Sequence, residues 1–269
     1  MKLNVLTYNT LFAGRDGAAD GRAQAQMALI RELQPDVFLM QEAKGFDANG
    51  GAWLYEMEHA IGMRGFLAVA PRTGQNVAIF IREPLRAVRF ETDNTNFHHA
   101  LARLTVVVPG FDQPITFFSV HLCPNGSDAR RREAAYLALH AVPNHLTLIA
   151  GDFNSASPKD PEPQDWPTLA PFHRVRYLAA DLRSIDHSVL AHLEAAGWVD
   201  IGAQLDTSKT PTVPTVAYRD AEFATMRCDY FLATRALAAK AQSYQVIRND
   251  TTGMASDHYP VLATFSLAS

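Results

Sequence analysis

The chain has 269 residues, 48% of them hydrophobic, which is enough to bury a sizeable core and excludes a disordered or low-complexity protein. A formal net charge of −4 excludes a whole-molecule basic field for gripping nucleic acid, though a local basic patch would not show in that sum. Two cysteines, Cys123 and Cys228, exclude a disulfide framework and fit a reducing compartment.

No Pro/Gly/Ser-rich linker divides the sequence, so residues 1–269 read as one domain. The chain starts directly on a strand pattern over 3–9, without the features of a signal peptide, and no apolar run reaches membrane-spanning length. A cytoplasmic protein is the expectation. A helix follows at roughly 22–34, with Met27, Leu29, Ile30 and Leu33 on one apolar side and Gln34-Pro35 as its stop. Next come a strand over 36–42, a helix at roughly 51–61, and strand-like runs at 66–70, 77–81, 87–90, 102–108 and 115–120 that read as an antiparallel meander. Ser127 is the expected N-cap of a helix over 127–142 that stops near Pro143, and 146–150 reads as a fully buried strand.

A Pro-rich stretch over 158–171 then leads past Trp166, Phe172, His173, Arg174 and Arg176, and 158–185 is expected to be an insertion or lid. A helix at roughly 186–196 ends at Gly197, and strands at 226–233, 242–248 and 260–266 complete the chain. Strands dominate both halves with helices between them. The expected class is α/β, with two mixed, mainly antiparallel sheets packed face to face and helices outside.

Several polar motifs close strand-like runs. Asp152 and Asn154 follow the apolar run 146–150, and their i, i+2 spacing puts both side chains on one side of an extended chain. A carboxylate that orients a nucleophile and an amide that donates to phosphoryl oxygen suit a phosphate ester, although Gly-Asp-x-Asn is also good turn chemistry. Asp257 and His258 pair a hard oxygen ligand with a titratable imidazole. Asn9 and Glu42 end the first two strands, and oxygen ligands without a Cys/His cluster favour Mg2+ or Mn2+ over zinc. Asp229 sits inside an apolar run, where its charge needs a partner, and a histidine is the obvious one; His121 closes the run 115–120.

In this order the motifs Tyr8-Asn9, Gln41-Glu42, Ser119-Val120-His121-Leu122, Gly151-Asp152-Phe153-Asn154, Arg227-Cys228-Asp229-Tyr230 and Ser256-Asp257-His258 resemble the endonuclease/exonuclease/phosphatase superfamily, essentially end to end. The resemblance implies a four-layer α/β sandwich with its site at one end of the paired sheets. It implies Glu42 as principal metal ligand, helped by Asn9, with Asp257 near the cation. Asp152 would position the attacking water and Asn154 contact the phosphate. His258, oriented by Asp229, would be general base or transition-state donor, and His121 would act near the leaving oxygen. Arg103 is a candidate phosphate contact. Deoxyribonuclease-like members pair the first histidine with a glutamate; here the nearest candidates are Gln75 and Asn76, so His121 is expected to lack an anionic partner. His121-Leu122, in place of the tyrosine of apurinic endonucleases, leans away from that branch. Cys228 is expected to be a small core hydrophobe facing away from Asp229, and Arg130-Arg131-Arg132 a solvated helix face.

The expected activity is divalent-metal-dependent hydrolysis of a phosphate ester, small or lipid-linked. Alternatives are a nuclease acting on DNA or RNA, and a non-hydrolytic binding module of the same fold.

Overall fold

The structure is a computed structural model that describes residues 1–17, 19–220 and 222–267. The strands are β1 (Lys2–Asn9), β2 (Val37–Gln41), β3 (Arg64–Ala68), β4 (Val77–Ile81), β5 (Arg86–Asp93), β6 (Leu101–Val107), β7 (Ile115–His121), β8 (Leu146–Asp152), β9 (Val199–Asp200), β10 (Asp229–Ala233), β11 (Ala241–Val246) and β12 (Val261–Ser266). The helices are α1 (Gly21–Leu33), α2 (Ala52–Ile61), α3 (Ser127–Ala138), α4 (Pro171–Arg174), α5 (Ser188–Ala195), α6 (Ile201–Leu205), α7 (Arg235–Ala238) and α8 (Thr252–Ala255). One six-stranded sheet runs β11-β12-β1-β2-β4-β3 and the other β5-β6-β7-β8-β10-β9. Both are mixed: β1–β2 and β7–β8 are parallel pairs and the other pairings are antiparallel.

Period-2 alternation sorts the apolar side chains into layers. Val5, Val37, Leu39, Phe117, Leu148, Ala150 and Phe231 meet between the sheets. Leu6, Tyr8, Phe38 and Met40 face the other way, against Met27 and Ile30 of α1 and Met57 and Ile61 of α2. Phe118, Val120, Ile149, Tyr230 and Leu232 pack under Ala134 and Leu137 of α3 and Val189, Leu190 and Leu193 of α5. The result is the expected four-layer α/β sandwich.

The same parity positions the site. Asn9 continues the inward row of β1, His121 that of β7, Asp152 that of β8, and Asp229 begins that of β10. In register, Asp152 neighbours both His121 and Asp229. Because β1, β2, β7 and β8 end where β10 and β12 begin, these polar residues gather at one end of the inter-sheet core. One layer below, buried polar groups cross from sheet to sheet: Gln41 Nε2 donates to Ser119 Oγ at 3.1 Å, and Ser119 Oγ donates to Met40 O at 3.2 Å.

Several expectations are corrected. The meander over 66–120 is divided between sheets, because β4 has β2 on one side and β3 on the other and leaves no edge for β5. Ser127 is the first residue of α3 rather than its cap, and α3 ends at Ala138, where bonds tighten to His140 N–Leu137 O and Ala141 N–Ala138 O before Pro143 is reached. Arg130 is buried, donating to Cys123 O at 3.1 Å and Arg176 O at 2.7 Å, whereas Arg131 is exposed and pairs with Asp128. The strand read over 226–233 begins at Asp229; Arg227 before it makes two carboxylate pairs, with Asp160 and with Asp200. Cys228 is fully buried among Tyr177, Val213 and Phe223, as the sequence reading had it.

Gly151 is required where β8 meets β7. Its φ is +147°, and an added Cβ would stand 2.0 Å from Val120 O. Gly151→Ala is therefore expected to lower unfolding free energy by roughly 3 kcal/mol or more, combining backbone strain and overpacking. Urea unfolding of the two proteins measures it.

Candidate active site

The site is organised around Asp152, which is buried at the end of β8. Four side-chain nitrogens approach its Oδ2: Asn9 Nδ2 at 3.2 Å, Asn154 Nδ2 at 3.3 Å, His121 Nε2 at 3.4 Å and His258 Nε2 at 3.6 Å. Its Oδ1 accepts the Asn154 backbone N–H at 2.8 Å, which closes a tight turn with Asn154 at φ 48°. Asn154 Nδ2 also donates to Leu122 O at 3.1 Å, so this amide is held from two sides.

His258 Nδ1 lies 2.9 Å from Asp229 Oδ2, and the edge of Phe223 meets the ring with centroids 5.2 Å apart. Burial works against the imidazolium, but Asp229, Asp152 and Asp257 together outweigh it and hold its pKa well above the ordinary histidine value. His121 has the opposite environment. Burial and the neighbouring His258 push its pKa down to about 3.

Glu42 follows β2 in a left-handed conformation, φ 60°. Its Oε2 accepts the Phe12 N–H at 3.0 Å and Gln75 Nε2 at 3.4 Å, while Oε1 accepts Asn9 Nδ2 at 3.3 Å. Burial, then the charge of Asp257, raises the Glu42 carboxyl to about 7. Asp257 is itself raised, by burial first, and its Oδ1 lies 3.2 Å from Ser256 Oγ. Ser256 Oγ in turn donates to Asn9 O at 2.7 Å, tying the segment before β12 to the end of β1.

Asn9, Glu42, His121, Asp152, Asn154, Asp229, Asp257 and His258 are thus brought into one network. Arg103 is not. It lies on the outward parity of β6, pairs with Glu91 at 3.3 Å and rests over the Phe118 ring, because its neighbours Ala102 and Leu104 take the inward face. Asn9 turns its nitrogen to the carboxylates of Glu42 and Asp152, while its Oδ1 accepts the Leu11 N–H at 3.1 Å. Gln75 reaches Glu42, and Asn76 holds Ala43 O and Asp47, so neither partners His121. The sequence reading missed His99, which stacks on His121 with centroids 4.3 Å apart. No motif marks His99, which lies just before β6 and meets His121 only in the folded structure.

The donors suit a small hard cation. Among the described residues no Lys or Arg pairs with Glu42, Asp152, Asp229 or Asp257, so His258 faces several acids. Among those residues, too, no group of three or more His, Cys, Asp or Glu side chains is arranged to enclose an ion. Two carboxylates with the remaining positions left to water is the mode Mg2+ prefers.

The family model of the Endonuclease/Exonuclease/phosphatase family matches residues 6–258. The chain belongs to this family. Its members are generally hydrolytic phosphoesterases and nucleases and typically use divalent metals. No curated protein matches the sequence. Among solved structures, an AP endonuclease from Archaeoglobus fulgidus is 19% identical, with TM-score 0.68 over 98% of this chain and 99% of its own. A conserved protein of unknown function from Enterococcus faecalis is 15% identical, with TM-score 0.69 over 97% and 98% of the two chains. TDP2 from D. rerio, complexed with a single-strand DNA product, is 17% identical, with TM-score 0.66 over 98% and 99%. At these identities the likeness is one of fold. Among the described residues no helix is long and apolar enough to cross a membrane.

The raised Glu42 carboxyl gives a signed expectation. A folded-state pKa above the unfolded value contributes stability below the unfolded pKa, and that contribution is lost as pH rises through the folded one. With chelator present, wild type should lose on the order of 3 kcal/mol relative to Glu42→Gln between pH 4.5 and 7. Added Mg2+ or Mn2+ should restore it at pH 7.5 in wild type and not in the variant, as read by denaturant unfolding.

Proposed function

We propose that this chain is a divalent-metal-dependent phosphoesterase, which hydrolyses a phosphate ester by attack of an activated water on phosphorus. The observation that carries the reading is the convergence of two amides and two imidazoles on one buried oxygen, Asp152 Oδ2. An acceptor surrounded by donors is suited to take the proton of a water while those donors turn to the charge that builds on phosphoryl oxygen.

In this reading Asp152 positions the attacking water and accepts its proton. His258, held as an imidazolium by Asp229, donates to a phosphoryl oxygen; its raised pKa favours the donor role over that of general base. Asn154 contacts the phosphate through an amide already fixed by Asp152 and Leu122. His121 serves the leaving oxygen, on which the electron pair of the broken P–O bond remains. Glu42 and Asp257, braced by Asn9, would hold Mg2+ or Mn2+, whose contribution is to offset charge on the phosphoryl group as a Lewis acid.

A small or lipid-linked phosphoester is the favoured substrate. Apolar side chains are exposed on segments tied to the site: Phe12 (40%), whose N–H holds Glu42, Val216 (52%), beside the Thr215 that bonds Asp257 O, and Met254 (60%), shortly before Asp257. Residues 158–185 supply one wall and act in substrate selection. Tyr177 and Ile185 pack with Phe223, which abuts His258, and Arg176 pairs with Glu222 at 2.5 Å. The fold likeness to an AP endonuclease and to TDP2 with a DNA product supports a second reading, cleavage of a nucleic-acid phosphodiester.

Purified protein assayed with Mg2+ or Mn2+ should cleave an ester in a panel of phosphomonoesters, lipid headgroup diesters, plasmid DNA and RNA. His258→Ala should lower kcat by about 10³-fold. Undiminished turnover in that variant contradicts the assignment. Cleavage of nucleic acid alone, falling steeply with salt, selects the second reading.

A further inference from the structure

The two histidines of the cleft are oriented by different means. His258 has a carboxylate, Asp229, on Nδ1. His121 has none: among the described residues its Nδ1 is buried without a hydrogen-bond partner. The buried acid beside it, Asp152, meets the other ring nitrogen, Nε2, and the Glu133 carboxylate is engaged by the backbone N–H groups of His98 and Cys123. What meets the face of His121 is the ring of His99, with centroids 4.3 Å and planes 28° apart. His99 is itself fixed. It is 4% exposed, its Nδ1 is 2.8 Å from Thr73 Oγ1, and His98 meets it edge-on at 4.7 Å.

From this geometry we infer that His99 is a positioning residue: its ring stacks on His121 and fixes that imidazole with Nε2–H turned toward Asp152, in place of a carboxylate on Nδ1. The inference rests on the phosphoesterase reading for its catalytic consequence but not for the ring geometry itself. Burial lowers the pKa of both rings, and the neighbouring His121 lowers His99 further. The neutral Nε2–H tautomer places its hydrogen toward Asp152 Oδ2 at 3.4 Å and leaves a lone pair, rather than an N–H, unpaired at Nδ1. His121 then stabilises the departing oxygen by a hydrogen bond and transfers no proton to it.

Leaving-group dependence isolates this role. Across a series of methyl aryl phosphodiesters, His99→Ala should lower kcat for the phenyl ester at least tenfold more than for the 4-nitrophenyl ester, with KM little changed. His99→Phe keeps a flat ring and should recover most of that loss. Equal losses for both esters, or a His99→Phe protein as impaired as His99→Ala, would overturn the proposal. Nitrogen-15 spectra of histidine-labelled protein at pH 7 give a readout free of catalysis. They should show His121 as the neutral Nε2–H tautomer in wild type and His99→Phe, and as a tautomer mixture in His99→Ala. A cationic His121 in wild type, or the same tautomer in all three proteins, would also contradict it. If wild type cleaves no aryl ester, the reading of the reaction fails, while the spectra still decide what His99 does. Should His99→Ala not fold, His99→Leu replaces it in both measurements.

Discussion

Four carboxylates, Glu42, Asp152, Asp229 and Asp257, are taken out of water at one end of the sheet sandwich, and no Lys or Arg among the described residues is paired with any of them. Burying like charges together is costly, so the fold must spread, protonate or neutralise that charge. It does each in part. Amide and backbone N–H groups spread it, through Asn9, Asn154 and Phe12. His258 stays protonated against burial, and Glu42 is pushed toward neutrality. The charge still uncompensated is what a hard dication would relieve, and it connects the stability of the cleft to its chemistry.

The scaffold tolerates this cost because its polar end is built on strands whose inner faces are otherwise apolar and close-packed. The inward rows of β1, β7, β8 and β10 run through the core before ending on polar groups, and the Gln41–Ser119 link sets one sheet against the other just beneath them. Local backbone strain is concentrated in the same place: Leu11, Phe12, Ala13, Glu42 and Asn154 have positive φ without being glycine. The turn of Leu11, Phe12 and Ala13 aims the Phe12 N–H at Glu42, and the turn at Asn154 folds its N–H back onto Asp152. Strain is thus converted into fixed donors at the acids.

Much of this was legible in the sequence because strand parity is a local property. Asp152 ends a buried apolar run, Asp229 interrupts another, and Asp257-His258 precedes a third, so their presence on one rim follows from period-2 alternation together with the resemblance of the ordered motifs. What escaped depends on pairing between distant segments. The split of the meander required knowing that β4 is flanked on both sides, and the burial of Arg130 required the carbonyl of Arg176, 46 residues away. Arg103 looked available until its parity placed it on the outer face with Glu91. His99 carries no motif, and its stacking on His121 emerges only in the tertiary structure.

The reading of this acid cluster as a cation site is open to direct test. Crystals soaked in Mn2+ and measured for anomalous scattering address it directly. An anomalous peak within coordination distance of Glu42 and Asp257 carboxylate oxygens, lost in Glu42→Gln crystals, is the predicted result. A cluster that remains without a peak at millimolar Mn2+, or a peak elsewhere with the cluster unfilled, would contradict it.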